Sequence, residues 1–365
     1  MKPVYKLNLR LLRREQYSWH TILTLSFLAV VLTLVVGALI IYGKGLSPFA
    51  VYQSMFSSAF GNWYGLSETL VKSVPLIFTA LAAALAFHMQ LWNIGAEGQL
   101  YMGAMAATGM ALFMGDTGRT VLPFMFLAGV LAGALWALIP GALKAYWEVN
   151  ETITTLLLNY VAVLWVNYLV FGPWRDPQGF NFPLTRLLEE GATLPSWPGS
   201  RLHLGLAIAV FLAVAVWVML KFTRFGFEIK VIGKSREAAG YAGMDMRQKI
   251  LWVMLISGGI AGLAGMVEVA GVTHRLQQGL SPGYGYTGII VAWLSRLHPL
   301  AIIGVSVFFG GLLVGGYGLQ TMGVPFSVVQ MLQGLLLFFL LAGELFLNYR
   351  ISFSHRSGLN NRREE

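Results

Sequence analysis

Residues 120–143 read TVLPFMFLAGVLAGALWALIPGAL and contain no charged side chain. This run of 24 residues is long enough to cross a bilayer as a helix, which needs about 20 apolar residues. Nine more segments are predominantly apolar, at 19–42, 67–87, 91–114, 152–171, 203–222, 250–270, 286–297, 299–319 and 325–347. Segment 286–297 is too short to cross alone, so we expect a tilted, partial or protein-buried helix there. The sequence predicts an all-α, polytopic transmembrane bundle of about ten spans, with broken or partial helices, over 19–347.

The composition agrees with a membrane protein. Hydrophobic residues make up 56% of the 365 residues and charged residues 11%, where soluble domains carry about 25% charged residues. The chain contains no cysteine, which excludes disulfides and thiolate metal sites. The bilayer is therefore the expected solvent of most of this chain.

The net charge of +9 is explained by topology and not by nucleic-acid binding. If the ends of the spans alternate between the two sides, one side holds 18 lysines and arginines and the other holds 6. Cytoplasmic loops carry this excess, so both termini (1–18 and 348–365) and the long loop 223–249 are predicted to be cytoplasmic. A cleaved signal peptide has a short apolar core followed by a cleavage site of small residues. The first span, which follows a basic segment, has neither feature, so it is expected to stay uncleaved. We predict a multi-pass protein of the bacterial cytoplasmic (inner) membrane.

Glycine pairs at GxxxG spacing predict close helix packing. They occur at Gly129/Gly133, Gly258/Gly262 and Gly311/Gly315. Glycines at this spacing share one helix face and allow a neighbouring helix to approach closely. Tight packing is a sufficient explanation for them.

Charges inside the spans are few. Lys72 follows Glu68 by one turn, a spacing that predicts an i,i+4 ion pair. Glu97 and Glu268 fall at bilayer depth, where a carboxylate is costly. Proton- or sodium-coupled transporters usually carry several such groups, so this scarcity counts against ion coupling.

Enzyme signatures are missing from the sequence. It contains no HExxH, no GxSxG and no cysteine nucleophile. Gly233-Lys234-Ser235 imitates the end of a phosphate-binding loop, but Glu228 stands where that loop needs its first glycine. We therefore expect that this chain does not hydrolyse ATP by itself and holds no cofactor.

The segment 93–99, NIGAEGQ, places two glycines and three hydrogen-bonding side chains at the start of an apolar run. Such a segment is tolerated at bilayer depth where it lines a cavity or is buried in protein. Asn93, Glu97 and Gln99 are predicted to border a translocation path, with Asn159 and Asn167 as weaker candidates from the fifth span. The alternative is a polar knot that ties two helices together.

The loop segment 233–243, GKSREAAGYAG, predicts a short cytoplasmic helix. Ser235 suits the N-cap, Glu237 the first turn and Gly243 the C′ position. Small residues at Ala238, Ala239 and Ala242 would leave one side of this helix free for a partner's groove. The alternative is an ordinary surface helix.

Four stretches together resemble a known family. Glu237-Ala238-Ala239-xxx-Gly243 resembles the EAA signature of ABC importer permeases, and NIGAEGQLYMGA (93–104), NETITTLLLNY (150–160), GKSREAAGYAGMD (233–245) and GYGYTGIIVAWLSRLHPL (283–300) are similar to its nucleoside and simple-sugar (ribose-type) branch. The resemblance covers about 65–345. The NIGAEGQ form is typical of permeases that work with nucleoside-binding proteins of the basic-membrane-protein type. Gly240, Trp293 and Ser295 depart from the family pattern.

The resemblance implies a permease domain at 19–347 and several partners. These are ABC ATPase subunits that bind ATP and Mg²⁺, a second permease subunit (a copy or a paralogue) and an extracytoplasmic solute-binding protein. The ATPase contact would lie at Ser235, Arg236, Glu237, Ala238, Ala239 and Gly243. The expected solute is a nucleoside or purine-type compound, with a simple sugar second. An ion-coupled secondary transporter and a membrane-embedded enzyme are the alternatives.

Outer loop 172–202 is predicted to be an ordered platform for the binding protein. Five prolines restrict its backbone, and Trp174 and Trp197 provide apolar anchors. Its charged residues Arg175, Asp176, Glu189 and Glu190 are the candidate docking contacts. A structured connector without a docking role is the alternative.

The two halves of the chain are expected to form a weak internal repeat. Spans two to five would correspond to spans seven to ten, with one interrupted segment in each half, at 93–99 and 279–288.

Overall fold

The structure, a computed structural model, describes residues 8–13, 19–114, 118–320 and 322–354. The predicted termini, 1–18 and 348–365, lie largely outside these ranges. The first half contains β1 (Asn8–Arg13), α1 (Trp19–Gly43), α2 (Pro48–Phe60), α3 (Trp63–His88), α4 (Ala96–Phe113), α5 (Val121–Trp147) and α6 (Glu151–Phe171). The second half contains α7 (Gly205–Phe222), α8 (Arg224–Lys234), α9 (Arg236–Tyr241), α10 (Met246–Glu268), α11 (Tyr284–Leu294), α12 (Pro299–Gln320), α13 (Ser327–Asn348) and β2 (Tyr349–Ser354).

All ten predicted spans correspond to helices, which confirms the all-α polytopic bundle. In the part of the chain that the structure describes, seven helices are long and apolar enough to cross a membrane, namely α1, α3, α5, α6, α7, α10 with its continuation to Thr273, and α12. Helix α11 and residues 327–343 are apolar but shorter. Helices α2 and α8 were not predicted, because their mixed polar and apolar residues read as connections.

The chain divides into two compact units, one of 1–49 with 330–365 and one of 50–329. In the first unit, β1 and β2 pair antiparallel, with Asn8 opposite Ser354 and Arg13 opposite Tyr349. The second unit contains all the candidate functional residues named above.

Helices α3 and α10 form the centre of the larger unit. In their most apolar windows 89% of the α3 residues and 72% of those of α10 and its continuation are buried, against 33% for α6 and 28% for α7. A helix that is apolar all round is expected at such a central position. The predicted glycine packing is confirmed, because a Cβ atom at Gly133 would collide with the backbone of Gly258 and Gly262 on α10.

Two irregular segments interrupt the bundle. Residues 89–95 precede α4, and residues 274–283 precede α11, after a π-helical turn at Val269–Thr273. Helix α11 has 11 residues and a largely buried surface, as predicted for the short eighth segment. Both interruptions therefore exist, and each ends with the start of a helix inside the predicted segment.

The larger unit has two ends, which α7 connects. We call residues 89–92, 223–249 and 295–298 the basic side. We call residues 172–202 with 270–278 the loop side. Trp92 on the basic side stacks on Trp293 near the end of α11, with ring centroids 5.8 Å apart. On the loop side, the amide of Leu188 donates to the carbonyl of His274 at 2.8 Å.

Candidate functional site

The starts of α4 and α11 meet inside the bundle. We call residues 93–99 and 281–286 the junction. Glu97, in the first turn of α4, accepts a hydrogen bond at 2.6 Å from the backbone amide of Gly285, in the first turn of α11. The first backbone amides of a helix lack internal partners, so a carboxylate there satisfies one of them and complements the helix dipole. Gly285 has no space for a side chain, because a Cβ atom would collide with the Glu97 backbone.

Asn93 and Gln99 form a pair of amides beside Glu97. The Nδ2 of Asn93 donates to Gln99 Oε1 at 3.2 Å and to Ser257 Oγ on α10 at 2.9 Å. The Nε2 of Gln99 donates back to Asn93 Oδ1 at 3.0 Å. Ser257 continues the chain of bonds, since its hydroxyl donates to the carbonyl of Ala82 on α3 at 2.7 Å. The bonds connect α4 to both central helices.

Asn159 joins α6 to the same junction. Its Oδ1 accepts from the amide of Gly98 at 2.8 Å, and its Nδ2 donates to the carbonyl of Ile94 at 2.9 Å and to the hydroxyl of Tyr286 at 3.3 Å. Gly98 permits this contact, because a Cβ atom there would lie 2.9 Å from the Cα atom of Asn159. One amide side chain therefore contacts both helix starts.

Four of the five predicted path residues come together in this way. Asn93, Glu97, Gln99 and Asn159 are at most 5% exposed, and each has a hydrogen-bond partner. Asn167 lies eight residues further along α6, about 12 Å away by helical rise, and its buried Oδ1 atom has no hydrogen-bond partner. The enclosed bonds are what the alternative, a polar knot, requires. A role in a translocation path stays a prediction for all five residues.

The predicted ion pair between Glu68 and Lys72 is wrong. Lys72 donates to the hydroxyl of Tyr284 at 3.0 Å and lies 3.8 Å from Glu268 on α10. Glu68 instead accepts from Arg201 on the loop side at 3.4 Å. The spacing of Glu68 and Lys72 permits a pair, but partners from distant segments pack closer. Lys72 and Glu268 are both largely buried, so loss of either partner would leave an uncompensated charge, and this pair fixes α3 against α10. The Arg201 side chain is half exposed, so its pair with Glu68 contributes less.

The predicted short helix on the basic side is present as α9. Ser235 caps it by accepting from the amide of Ala238 at 3.2 Å, and Gly243 takes the left-handed conformation after its end, with φ of +71°. Of the predicted ATPase contacts, Ser235, Arg236, Glu237, Ala238 and Gly243 are exposed, whereas Ala239 is fully buried against its own chain. Tyr241, which the sequence analysis did not select, is 95% exposed. The ATPase-contact role of the six predicted residues is untested by this geometry.

Helix α8 supports α9 and is itself tied to α10. Glu228 accepts from Arg224 at 3.0 Å and pairs with Lys249 at the start of α10. The hydrogen bond from the Lys249 ammonium, with the nearby Arg224 guanidinium, holds the pKa of the Glu228 carboxyl below its ordinary value. The ionised carboxylate therefore fixes the position of the segment that carries α9.

Backbone hydrogen bonds fix outer loop 172–202 to residues 270–278. The amide of Thr185 donates to the carbonyl of Leu276 at 2.9 Å, that of Leu188 to the carbonyl of His274 at 2.8 Å and that of Leu194 to the carbonyl of Ala270 at 2.8 Å. The order predicted from the prolines agrees with these bonds. Among the predicted docking residues, Arg175, Glu189 and Glu190 are exposed, and Asp176 is half-buried and accepts from the amide of Gln178. Their docking role stays a prediction.

The predicted tryptophan anchors of this loop differ. Trp174 packs edge-on against Phe113 with ring centroids 5.7 Å apart, whereas Trp197 is 67% exposed. Nearby, Nδ1 of His203 accepts from the amide of Gly205 at 3.1 Å. Burial, with the neighbouring His274 and Arg201, lowers the pKa of the His203 imidazole to about 4. Its ring is therefore neutral at neutral pH.

Comparisons with known proteins agree with this architecture. Residues 65–341 match the family model described as the branched-chain amino acid transport system permease component. A glucose ABC transporter permease of Haloferax volcanii is 39% identical over 94% of this chain and 93% of its own length. A guanosine ABC transporter permease of Bacillus subtilis is 35% identical, over 87% of this chain and 92% of its own.

A nucleoside ABC transporter permease of Lactococcus lactis is 30% identical over 86% of this chain and 89% of its own length. No solved structure matches the chain. The family match sets the ion-coupled secondary transporter and the membrane-embedded enzyme aside, and the apolar helices agree with a multi-pass membrane protein. The chain belongs to this permease-component family and is a membrane-spanning permease subunit of an ABC transporter.

Proposed function

We propose that this subunit forms the path by which an ATP-driven importer moves a nucleoside or purine-type compound into the cell. The observation that carries the proposal is the convergence of three segments that resemble the nucleoside and simple-sugar branch of ABC permeases. Segments 93–104, 150–160 and 283–300 meet at the junction, through the bonds of Glu97 with Gly285 and of Asn159 with Gly98. The similarity to guanosine and nucleoside permeases supports the same solute class.

The proposed path runs beside the junction. Asn93, Glu97, Gln99 and Asn159 would border it, and Asn167 would lie further along α6. An amide or carboxylate at bilayer depth requires a polar partner or water. In the structure these groups are hydrogen-bonded within the bundle, and a rearrangement of the helices would expose some of them to the solute. Alternating access would supply that rearrangement.

Energy would come from a separate ATPase subunit that binds ATP and Mg²⁺, with no cofactor in this chain. Exposed α9 is the proposed contact, through Ser235, Arg236, Glu237, Ala238 and Gly243. Ala239 would act from within, because its side chain packs into its own chain and sets the position of the helix. The ion pair between Glu228 and Lys249 supports this role, because it connects the segment that carries α9 to the central helix α10.

The proposed orientation places the basic side and both termini in the cytoplasm of a bacterial cell with this protein in its inner membrane. The excess of lysine and arginine on that side supports this orientation. The loop side would then face outwards and receive a solute-binding protein at Arg175, Asp176, Glu189 and Glu190. A second permease subunit would complete the path.

A simple sugar is the second candidate solute, because the glucose permease of Haloferax volcanii shares 39% identity over nearly the whole chain. The two candidates differ in the base, since a nucleoside carries both an aromatic ring and a sugar whereas glucose has only the sugar.

Uptake of labelled guanosine, uridine, ribose and glucose by cells with and without this chain tests the proposal. We expect ATP-dependent nucleoside uptake that is lost with the chain, and an ATPase subunit that copurifies with it. Uptake of sugars alone would identify the second candidate. Nucleoside uptake that persists without ATP and collapses with the proton gradient would contradict the ATP-driven mechanism.

A further inference from the structure

Two tyrosines are exposed halfway along the bundle. Tyr160 is 61% exposed and is the tenth of the 21 residues of α6, and Tyr286 is 38% exposed in the first turn of α11. The other tyrosines exposed in the described region also lie within four residues of a helix end, at Tyr42, Tyr64, Tyr146, Tyr168, Tyr241 and Tyr317. Tyr286 differs from them because its helix begins inside the bundle. Tyrosine is common at helix ends because its hydroxyl reaches the membrane–water interface. Halfway along a span, the same hydroxyl requires a polar partner or water.

The depth of Tyr286 follows from its neighbours. Thr79 donates to the carbonyl of Tyr284 at 3.0 Å and lies 16 residues after the start of α3 and 9 before its end. At 1.5 Å per residue, these separations are about 24 and 14 Å. The start of α11 therefore lies well inside the bundle and far from both ends of α3.

Tyr286 is held firmly although its ring is partly open. Its hydroxyl accepts from Asn159, which is fixed in turn by Gly98 and Ile94. The residue before it, Gly285, is fixed by Glu97. Tyr160 follows Asn159 in α6, so both tyrosines border the same fixed amide. The two phenol groups therefore belong to one polar, aromatic surface at the junction.

Lipid is an unsuitable neighbour for this surface. It presents two phenol groups at mid-depth, where hydrocarbon offers their hydroxyls no hydrogen bond. A water-filled path satisfies such groups, whereas hydrocarbon does not.

We propose that Tyr286 and Tyr160 contact the transported nucleoside directly and determine specificity for its base. The inference rests on the proposed function. Every nucleobase has a flat π-face that stacks on an aromatic side chain, so one tyrosine surface accepts purines and pyrimidines alike. The phenol hydroxyls then bond to the ribose or to the base edge. A free sugar has no base to stack, and this surface therefore favours nucleosides.

Substitution of the rings measures the contribution of stacking. The assembled transporter, with its ATPase and excess solute-binding protein, is assayed for guanosine transported per ATP hydrolysed. Loss of one stacked ring lowers this ratio about tenfold in Tyr286→Leu and in Tyr160→Leu. Tyr286→Phe keeps the ring and retains most of the transport. Tyr168→Leu is the matched control, exposed at the end of the same helix, and leaves the ratio unchanged.

Introduced cysteines test access to water independently of stacking. The chain has no cysteine, so Tyr286→Cys and Tyr160→Cys each carry a unique thiol. Both thiols react with a membrane-impermeant thiol reagent during ATP turnover, and guanosine slows the reaction. Leu135→Cys, from the middle of α5 and 59% exposed at that site, is the control and stays unreactive.

The outcomes separate the inference from the proposed function. Normal guanosine transport in Tyr286→Leu and Tyr160→Leu, or thiols that never react in an active transporter, would overturn the inference alone. Wild-type transport of sugars without nucleosides would reject the proposed solute, and the base contact with it. A slower reaction with guanosine and an unchanged reaction with glucose support both.

Discussion

Helix α9 and the junction both contain helix ends whose backbone groups need partners, but the partners come from different distances along the chain. The ends of α9 are closed by its own neighbours, Ser235 and Gly243. The junction is closed by groups far apart in the chain: Gly98 and Asn159 are 61 residues apart, and Glu97 and Gly285 are 188. Changes at the junction should therefore disturb the whole bundle, whereas changes at α9 should remain local.

The largest expected difference comes from adding one methyl group. At Gly285 a Cβ atom would collide with the Glu97 backbone, so Gly285→Ala should destabilise the protein by about 3 kcal/mol or prevent its accumulation. At Gly240 on α9 nothing lies within 4 Å, so Gly240→Ala should be neutral or stabilise the helix by up to about 1 kcal/mol. Membrane yield and melting temperature in detergent measure both. Equal effects would remove the contrast between the two regions.

Removal of a side-chain amide should have the next largest effect. Asn159→Leu leaves the buried amide of Gly98 and the carbonyl of Ile94 without partners, at a cost of about 1–3 kcal/mol for each group. The matched control is Asn150→Ala, which removes the exposed N-cap of the same helix and should cost about 1 kcal/mol. Unfolding free energies in mixed micelles provide the comparison. A smaller loss for Asn159→Leu than for Asn150→Ala would contradict the account.

The spans and α9 could be predicted because their signals are local. Apolar runs of sufficient length, Ser235 before an alanine-rich turn and Gly243 after it are all contained within short windows of sequence. The junction residues could be selected, because amides and carboxylates inside apolar segments need partners. Their partners could not be identified, since Ser257 and Gly285 are supplied by other helices. The Glu68–Lys72 pairing failed for the same reason: a permitted local pair competed with Glu268 and Arg201 from elsewhere in the chain.

A cap on α9 should contribute less than the junction bonds. Ser235→Ala removes the acceptor for the amide of Ala238 and should destabilise α9 locally by about 1 kcal/mol. Hydrogen exchange of residues 236–243 should become faster, while exchange at the junction stays unchanged. Ser235→Asp keeps an acceptor and should restore protection. Faster exchange at the junction in Ser235→Ala would show that α9 is not a local unit.

The smallest expected effect is a pH dependence on the basic side. The folded protein holds the pKa of Glu228 below its ordinary value, so the stabilisation is present above about pH 4.5 and is lost as the pH falls through the lower, folded pKa. The protection of α8 and α9 against hydrogen exchange, relative to the intrinsic rate at each pH, should fall in that range. Glu228→Gln should show the lower protection at neutral pH and no further loss on acidification. Pronounced acid sensitivity in Glu228→Gln would assign the effect to another group.

Assembly with the ATPase subunit tests the central claim, that exposed α9 couples this permease to its energy source. Ala238→Trp and Glu237→Trp add bulk at exposed positions of α9 and should insert normally into the membrane but lose the copurifying ATPase and solute uptake. Gly243 is unsuitable, because its φ of +71° would strain any larger side chain and disturb the end of α9. Ala239 is unsuitable, because it is buried in its own chain. Lys44→Trp, exposed in the turn after α1 and outside both proposed partner surfaces, should keep the ATPase and the uptake. Normal ATPase assembly and uptake in both α9 variants would contradict the account.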